Sequence, residues 1–346
     1  MDNFLNAPLK AVSALSQDMK KALDSAKLKN AAMIAVMGAT GSGKSTVGSY
    51  QGVSSNSSRT YPCRLFSKFI NMASGTAEMV TSGGLESCTQ TIQMSSLFQL
   101  GGRNVVLVDT PGFDDTNKSD ADTLAVIGGH LAEAYKNGIT LAGVLYLHRI
   151  TDVRVTGVTA RNLRVFNEIV GGKAMKNVFI VTTMWENLGS SGSNEEIERI
   201  GSQREKELES RKGFMGDAIS KGAKIVRHRY NTKQSAQKIV LDLLAISDPT
   251  VLQLQKELVD DGKTLNQTGA GGELNKEMDK KLKEYQQEIE AIKADMRARE
   301  AAGNKQMDDL RREIEEANRA RARIEQEKQR MQADYSEIKR RGQTGK

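Results

Sequence analysis

The chain has 346 residues, 38% of them apolar, which is enough for one sizeable α/β domain with residues left over for appendages. Its 50 Lys and Arg against 43 Asp and Glu leave a net charge of +7, well short of what a dedicated nucleic-acid binder carries and only weakly suggestive of acidic partners. Cys63 and Cys88 give neither a disulfide framework nor a metal-ligand spacing, the three histidines are scattered, and no apolar run approaches the roughly 18 residues of a membrane span, so the expectation is a soluble, cytoplasmic protein.

Residues 1–29 carry Leu5, Val12, Leu15, Met19, Leu23 and Ala26 at helical spacing with lysines between them. They read as an amphipathic helix that packs on the domain or on a partner, with peripheral membrane contact as the alternative. A strand-like run then ends in Gly38, Ala39, Thr40, Gly41, Ser42, Gly43, Lys44, Ser45 and Thr46, which is G-x-x-x-x-G-K-S. In that pattern the glycines let backbone amides curl around a phosphate, Lys44 sets a charge on the β/γ oxygens, and the Ser45 hydroxyl is a Mg²⁺ ligand.

The helix expected after this loop is interrupted. Residues 47–68 hold Gly48, Gly52, Pro62 and a Ser/Asn cluster, which a continuous helix does not tolerate. Joining Thr46 directly to Phe69 restores an amphipathic helix, so 47–68 is expected to be a retained intron, with a loop insertion as the alternative. Further on, an apolar run ends in Asp109-Thr110-Pro111-Gly112. Such a segment brings a carboxylate to the Mg²⁺ shell through water and lets the Gly112 amide sense a γ-phosphate. No glutamine follows Gly112, so intrinsic hydrolysis is expected to be slow unless a partner completes the site.

A helix over 121–136, a strand over 139–147, a helix over 158–170, a strand over 177–182, a charged helix over 195–210, a strand over 224–230 and a helix over 235–245 follow in turn. The alternation predicts an α/β fold of the P-loop NTPase type, a mostly parallel sheet with helices on both faces, over 30–250. Thr183-Met184-Trp185-Glu186 stands where GTPases carry N/T-K-x-D. Met184 is able to pack on a purine and Glu186 to accept from the guanine N1 and N2 groups, which leaves guanine-over-adenine preference open. Residues 251–272, with Gly262, Gly269, Gly271 and Gly272, are expected to be a linker. From 273 to 341 apolar residues including Leu282, Tyr285, Ile289, Ile292, Leu310, Ile314, Ala317 and Ile324 recur at three-four spacing. They predict a C-terminal α-helical coiled coil, dimeric or folded back, with a stutter near Gly303.

These motifs together, with Leu85-Glu86-Ser87-Cys88-Thr89 and Leu147-His148-Arg149-Ile150-Thr151, resemble the septin-like P-loop GTPases, and within them the immunity-associated and chloroplast-import-receptor group with its fungal relatives. The resemblance spans about 30–245. It implies GTP/GDP and Mg²⁺ as ligands, Thr89 as the switch threonine that closes over the metal (Thr91 as fallback), and Tyr230-Asn231-Thr232 as a second base-contacting loop. It also implies a homodimer through the nucleotide face, with Arg149 acting in trans, against which stands a plain surface pair of Arg149 with Asp152. A protein effector, a scaffold that binds nucleotide without turnover and an ATP-dependent P-loop enzyme remain open at this stage.

Overall fold

The computed structural model of the chain describes residues 31–38, 68–75, 79–80, 92–113, 119–152, 157–188, 193–210, 215–301 and 308–332. The amphipathic segment 1–29, the phosphate-loop residues 39–46, the segment 47–67 and the pair Thr89 and Thr91 lie outside the described residues.

The most apolar runs form the middle of an eight-stranded sheet. β1 (Ala32–Gly38) is its central strand; β2 (Met79–Val80), β3 (Gln93–Ser95), β4 (Phe98–Leu100) and β5 (Arg103–Asp109) follow, then β6 (Leu141–Arg149), β7 (Val178–Thr183) and β8 (Lys224–Arg227). The order across the sheet is β2-β3-β5-β1-β6-β7-β8, with β4 paired to β5 off this path. From β5 through β1, β6 and β7 to β8 every pairing is parallel, and β2, β3 and β4 pair antiparallel. Parallel strands need helical crossovers on both faces, so their residues are buried on both sides and read as near-continuous apolar runs. In β1, Met33, Ala35 and Met37 join one core while Ile34 and Val36 join the other.

On the second face lie α1 (Lys68–Ser74) and α6 (Lys233–Ile246), where Phe69 and Ile70 pack with Ile239, Val240 and Leu243. On the first face lie α2 (Asp120–Lys136), α3 (Gly157–Val170), α4 (Asn194–Ser210) and α5 (Met215–Ser220). Gly143 of β6 sits where the sheet approaches its neighbours most closely. A Cβ there would fall 2.8 Å from the Asn177 carbonyl and 2.9 Å from Leu243. Three strands differ in their limits from the sequence expectation. β6 runs from Leu141 to Arg149, β7 from Val178 to Thr183, and β8 stops at Arg227, after which the chain turns, the Thr232 amide donating to the Tyr230 carbonyl at 2.7 Å.

The stretch 251–272 is not the linker that its glycines suggest. It contains α7 (Gln253–Val259), whose Leu254 and Leu258 are buried against Gly128 of α2. Gln255 is wholly buried and donates to the Leu131 carbonyl at 2.8 Å, while its Oε1 accepts from the Leu252 amide at 2.9 Å. Two of its glycines serve close packing: a Cβ on Gly269 would lie 2.3 Å from the Glu168 carboxylate, and one on Gly271 1.9 Å from the Leu265 carbonyl oxygen.

α8 (Gly269–Ala301) therefore begins before residue 273, with the Gly269 amide capped by the buried Glu257 carboxylate at 3.1 Å. α9 (Asp308–Arg330) runs back along it. Arg321 donates to Gln286 at 2.8 Å, Lys328 pairs with Asp279, and the Asn266 amide donates to the Met331 carbonyl at 2.9 Å, an antiparallel register. Within the single chain the two helices thus form an antiparallel hairpin. Its base is seated on the domain through Arg164–Glu273 at 3.1 Å and Arg330–Asp122 at 3.4 Å. Among the described residues no helix is long and apolar enough to cross a membrane.

Leu254 is fully buried between α7 and α2. Leu254→Ala is expected to destabilise the domain by about 2–5 kcal/mol, read as a lowered thermal midpoint of the full-length chain.

Candidate functional site

The carboxyl ends of β1, β5, β6, β7 and β8 share one edge of the sheet, where open α/β folds bind their ligands. In the parallel ladder Val36 stands opposite Asp109, and the Val36 carbonyl accepts from both the amide and the hydroxyl of Thr110, at 3.2 and 3.0 Å. These contacts fix β5's end opposite Val36, while β1 runs on to Gly38 beside Leu147 of β6. Gly38 leaves β1 with φ of 147°, a value that L side chains rarely adopt, and so opens the turn into the phosphate loop. Asp109 is 3% exposed, and Pro111 and Gly112 are buried beside it. A carboxylate at this edge, next to the first glycine of a Gly-Lys-Ser loop, is a chemically suitable partner for a hydrated Mg²⁺. Ala39, Thr40, Gly41, Ser42, Gly43, Lys44, Ser45, Thr46 and Thr89 complete the expected set and lie outside the described residues.

The far end of the edge carries the two loops that the sequence marks as candidates to contact a base. Thr183 is buried at the end of β7 and donates its hydroxyl to the His148 carbonyl at 3.2 Å. Met184 follows with φ of 61°, the one non-glycine residue in the left-handed region among the described residues. That backbone reversal starts the short 3-10 turn Trp185–Asn187 and leaves Glu186 exposed. From the neighbouring strand, Asn231 donates its side-chain amide to the Glu186 carboxylate, and Tyr230 beside it is 62% exposed. Thr183, Met184, Glu186, Tyr230 and Asn231 are thus brought to one corner, as the sequence anticipates. Strain at a left-handed methionine is characteristic of functional loops.

Trp185 is a packing residue. It is 1% exposed, its indole N–H donates to the Thr182 carbonyl at 3.1 Å, and its ring fills the space above Gly201 so completely that a Cβ there would meet it at 2.1 Å. Sequence inspection missed what surrounds it. The buried Glu205 of α4 accepts from the Thr182 hydroxyl at 3.0 Å and from Arg227 at 2.7 Å, and Arg227 lies over the tryptophan ring at 5.0 Å. The available signal was Glu198, Gly201 and Glu205 on one stripe of α4, but a charged helix reads more simply as a solvated face.

Arg149 ends β6 opposite Thr183 and forms a 3.1 Å ion pair with Asp152, so the surface-pair geometry is the one present in the single chain. Its loop is pinned from two sides, the Ile150 amide donating to Thr183 at 2.9 Å and Arg204 donating to the Ile150 carbonyl at 2.8 Å. Next to it, His148 is 5% exposed, and burial lowers its pKa from 6.5 to about 4, with Asp152 opposing and Arg149 reinforcing the shift.

That histidine is neutral in the folded protein, whereas in the unfolded chain it takes up a proton below 6.5. Stability is therefore complete above 6.5 and falls as the pH drops towards 4, by about 1.4 kcal/mol per pH unit from this group alone. Denaturant melts across this range are expected to show the slope in the natural chain and a shallower one in His148→Gln.

No family model matches the chain, and no curated protein is similar to it. Among solved structures it is similar to Toc33 from Arabidopsis thaliana. The form with GDP and Mg²⁺ is 17% identical with a TM-score of 0.43, the likeness covering 70% of this chain and 98% of that one. The form with Mg²⁺ and GMPPNP is 17% identical with a TM-score of 0.43 over 69% and 96%. A further structure, described in a study of dimerization in the GTPase activity of chloroplast translocon components, is 16% identical with a TM-score of 0.44 over 69% and 93%. The strand order and the reversed strands beside β5 give the mostly parallel α/β sheet with helices on both faces that the sequence leads one to expect.

Proposed function

We propose that the protein is a guanine-nucleotide switch that binds GTP and GDP with Mg²⁺, hydrolyses GTP slowly, and does so faster when a second copy or another partner meets its nucleotide face. The observation that carries this is the meeting of Asn231 with Glu186. Two loops from different strands converge on one exposed carboxylate beside a left-handed Met184, at the opposite end of the edge from Gly38 and Asp109. A purine lying on Met184 would offer its N1 and N2 hydrogens to Glu186, while the backbone amides of residues 38–46 and Lys44 would hold the phosphates.

Ser45, Thr89 and Asp109 would hold the magnesium ion, which offsets negative charge on the phosphate oxygens when bound. Gly112, whose amide lies just past Asp109, would report the γ-phosphate through the segment leading to α2. Arg149 would act in trans. Its side chain is 39% exposed and among the described residues pairs with Asp152, so exchanging that carboxylate for a phosphate across a dimer needs no repacking of the core. The α8–α9 hairpin would serve as the arm for self-association or an effector, and the cytoplasm is the compartment that suits the two cysteines. Phe113 in place of a water-orienting glutamine favours the second reading, a nucleotide-bound scaffold without turnover.

Calorimetry on the full-length chain with GDP and with ADP tests the proposal. GDP is expected to bind only with Mg²⁺ and about 100-fold more tightly than ADP, a difference near 2.7 kcal/mol, and Lys44→Ala to abolish binding. Equal binding of the two would make it an ATP-type enzyme instead. Phosphate release per molecule is expected to rise with protein concentration, and in Arg149→Ala to lose that dependence; no release at any concentration would leave the scaffold.

A further inference from the structure

The turn after β7 and the loop after β8 are linked to α4 by two arginines, Arg227 and Arg229, that meet on one of its carboxylates. On α4, Glu198, Ser202 and Glu205 lie three and four residues apart and so share one stripe with Gly201. Glu205 is buried and receives Arg227 through two nitrogens, at 2.6 and 2.7 Å. Ser202 accepts from the same guanidinium at 3.0 Å. Glu198 stands further out and takes two arginines at once, Arg227 through one carboxylate oxygen and Arg229 through the other.

Those arginines are two residues apart on an extended chain and therefore point the same way. Arg227 lies 5.0 Å from the centre of the Trp185 ring, and Arg229 lies 5.5 Å from the centre of the Tyr230 ring. Trp185 immediately precedes Glu186, and Tyr230 immediately precedes Asn231. One carboxylate thus controls, through two cation–aromatic contacts, the residue before each member of the Glu186–Asn231 pair.

We propose that Glu198 is a positioning residue for base recognition, a brace that sets the distance between the two base loops and so the preference for guanine; this rests on the guanine-nucleotide reading above. A lone exposed ion pair would hold little. Here both oxygens are engaged, one arginine is also anchored by a buried carboxylate, and the Arg227 contact keeps the Glu198 carboxyl below its usual range. Glu198 itself contacts neither loop's base-facing residue. Its effect is on geometry, which is why it should alter discrimination between bases more than the stability of the fold.

The test compares Glu198→Gln and Glu198→Asp in the full-length chain, using GDP and ADP with Mg²⁺. Glu198→Gln is expected to weaken GDP about tenfold and leave ADP unchanged, with the thermal midpoint of the nucleotide-free protein moving by no more than about 2 °C. Glu198→Asp, which keeps the charge, is expected to recover part of the loss. GDP affinity within about twofold of the natural chain, or an equal fall for both nucleotides, would overturn the proposal. Trp185 is the chain's one tryptophan, so its quenching by acrylamide reads the brace without any nucleotide. Quenching is expected to rise in Glu198→Gln and not in Glu198→Asp, and no change in either would overturn the brace. If the natural chain binds no guanine nucleotide while the quenching changes as expected, the proposed function fails and the brace stands.

Discussion

The carbonyl of Val36 takes two hydrogen bonds from Thr110, and with them the place where β1 ends relative to β5 is decided. The position of Asp109 at this edge follows from that pairing. A slip of one residue would turn Asp109 to the opposite face of the sheet, since side chains alternate along a strand. The register is enforced by burial on both faces: Ile34 and Val36 face α1 and α6 while Met33, Ala35 and Met37 face α2 and α3, so no alternative pairing leaves the apolar groups covered. Hydrogen bonding inside such a core is costly to rearrange, because a displaced Thr110 would leave buried polar groups without partners.

At the other end of the edge the geometry depends on side chains rather than on the ladder. β7 and β8 are parallel neighbours, but their loops leave the sheet separately and are joined by Asn231 and Glu186. α4 supplies the remaining order. Its Gly201 admits the Trp185 ring, and its Glu205 holds Thr182 and Arg227 together in a buried network whose members satisfy one another. One end of the edge is thus set by backbone pairing and the other by a side-chain network.

The sheet and its helices were legible because buried parallel strands announce themselves as apolar runs, and the Asp-Thr-Pro-Gly segment sits at the end of one. What escaped was chemistry carried by residues with bland local context. The glycines of 251–272 suggested a linker, and only the approach of Leu265 to Gly271 and of Glu168 to Gly269 shows that these two make room for packing. Glu257 and Gln255 lie in that same stretch, and both are buried as partners of backbone groups. Glu198, Arg227 and Arg229 are far apart in sequence and meet through the fold alone, which charge patterning along a chain has no means of showing. The heptad-like pattern did show two helices that share a seam; their direction is set by the contacts of Lys328 with Asp279 and Arg321 with Gln286.

The seat of α7 on α2 has a consequence for how the protein is made. Leu254 and Leu258 cover Gly128 and its neighbours from more than a hundred positions downstream. A ribosome releases the chain from its first residue onward, so the whole sheet and its crossover helices emerge while one flank of α2 is still bare. Until α7 arrives, that flank is an apolar surface open to aggregation or to a chaperone, and the nascent domain is held short of completion by the very segment that its composition disguises as a tether.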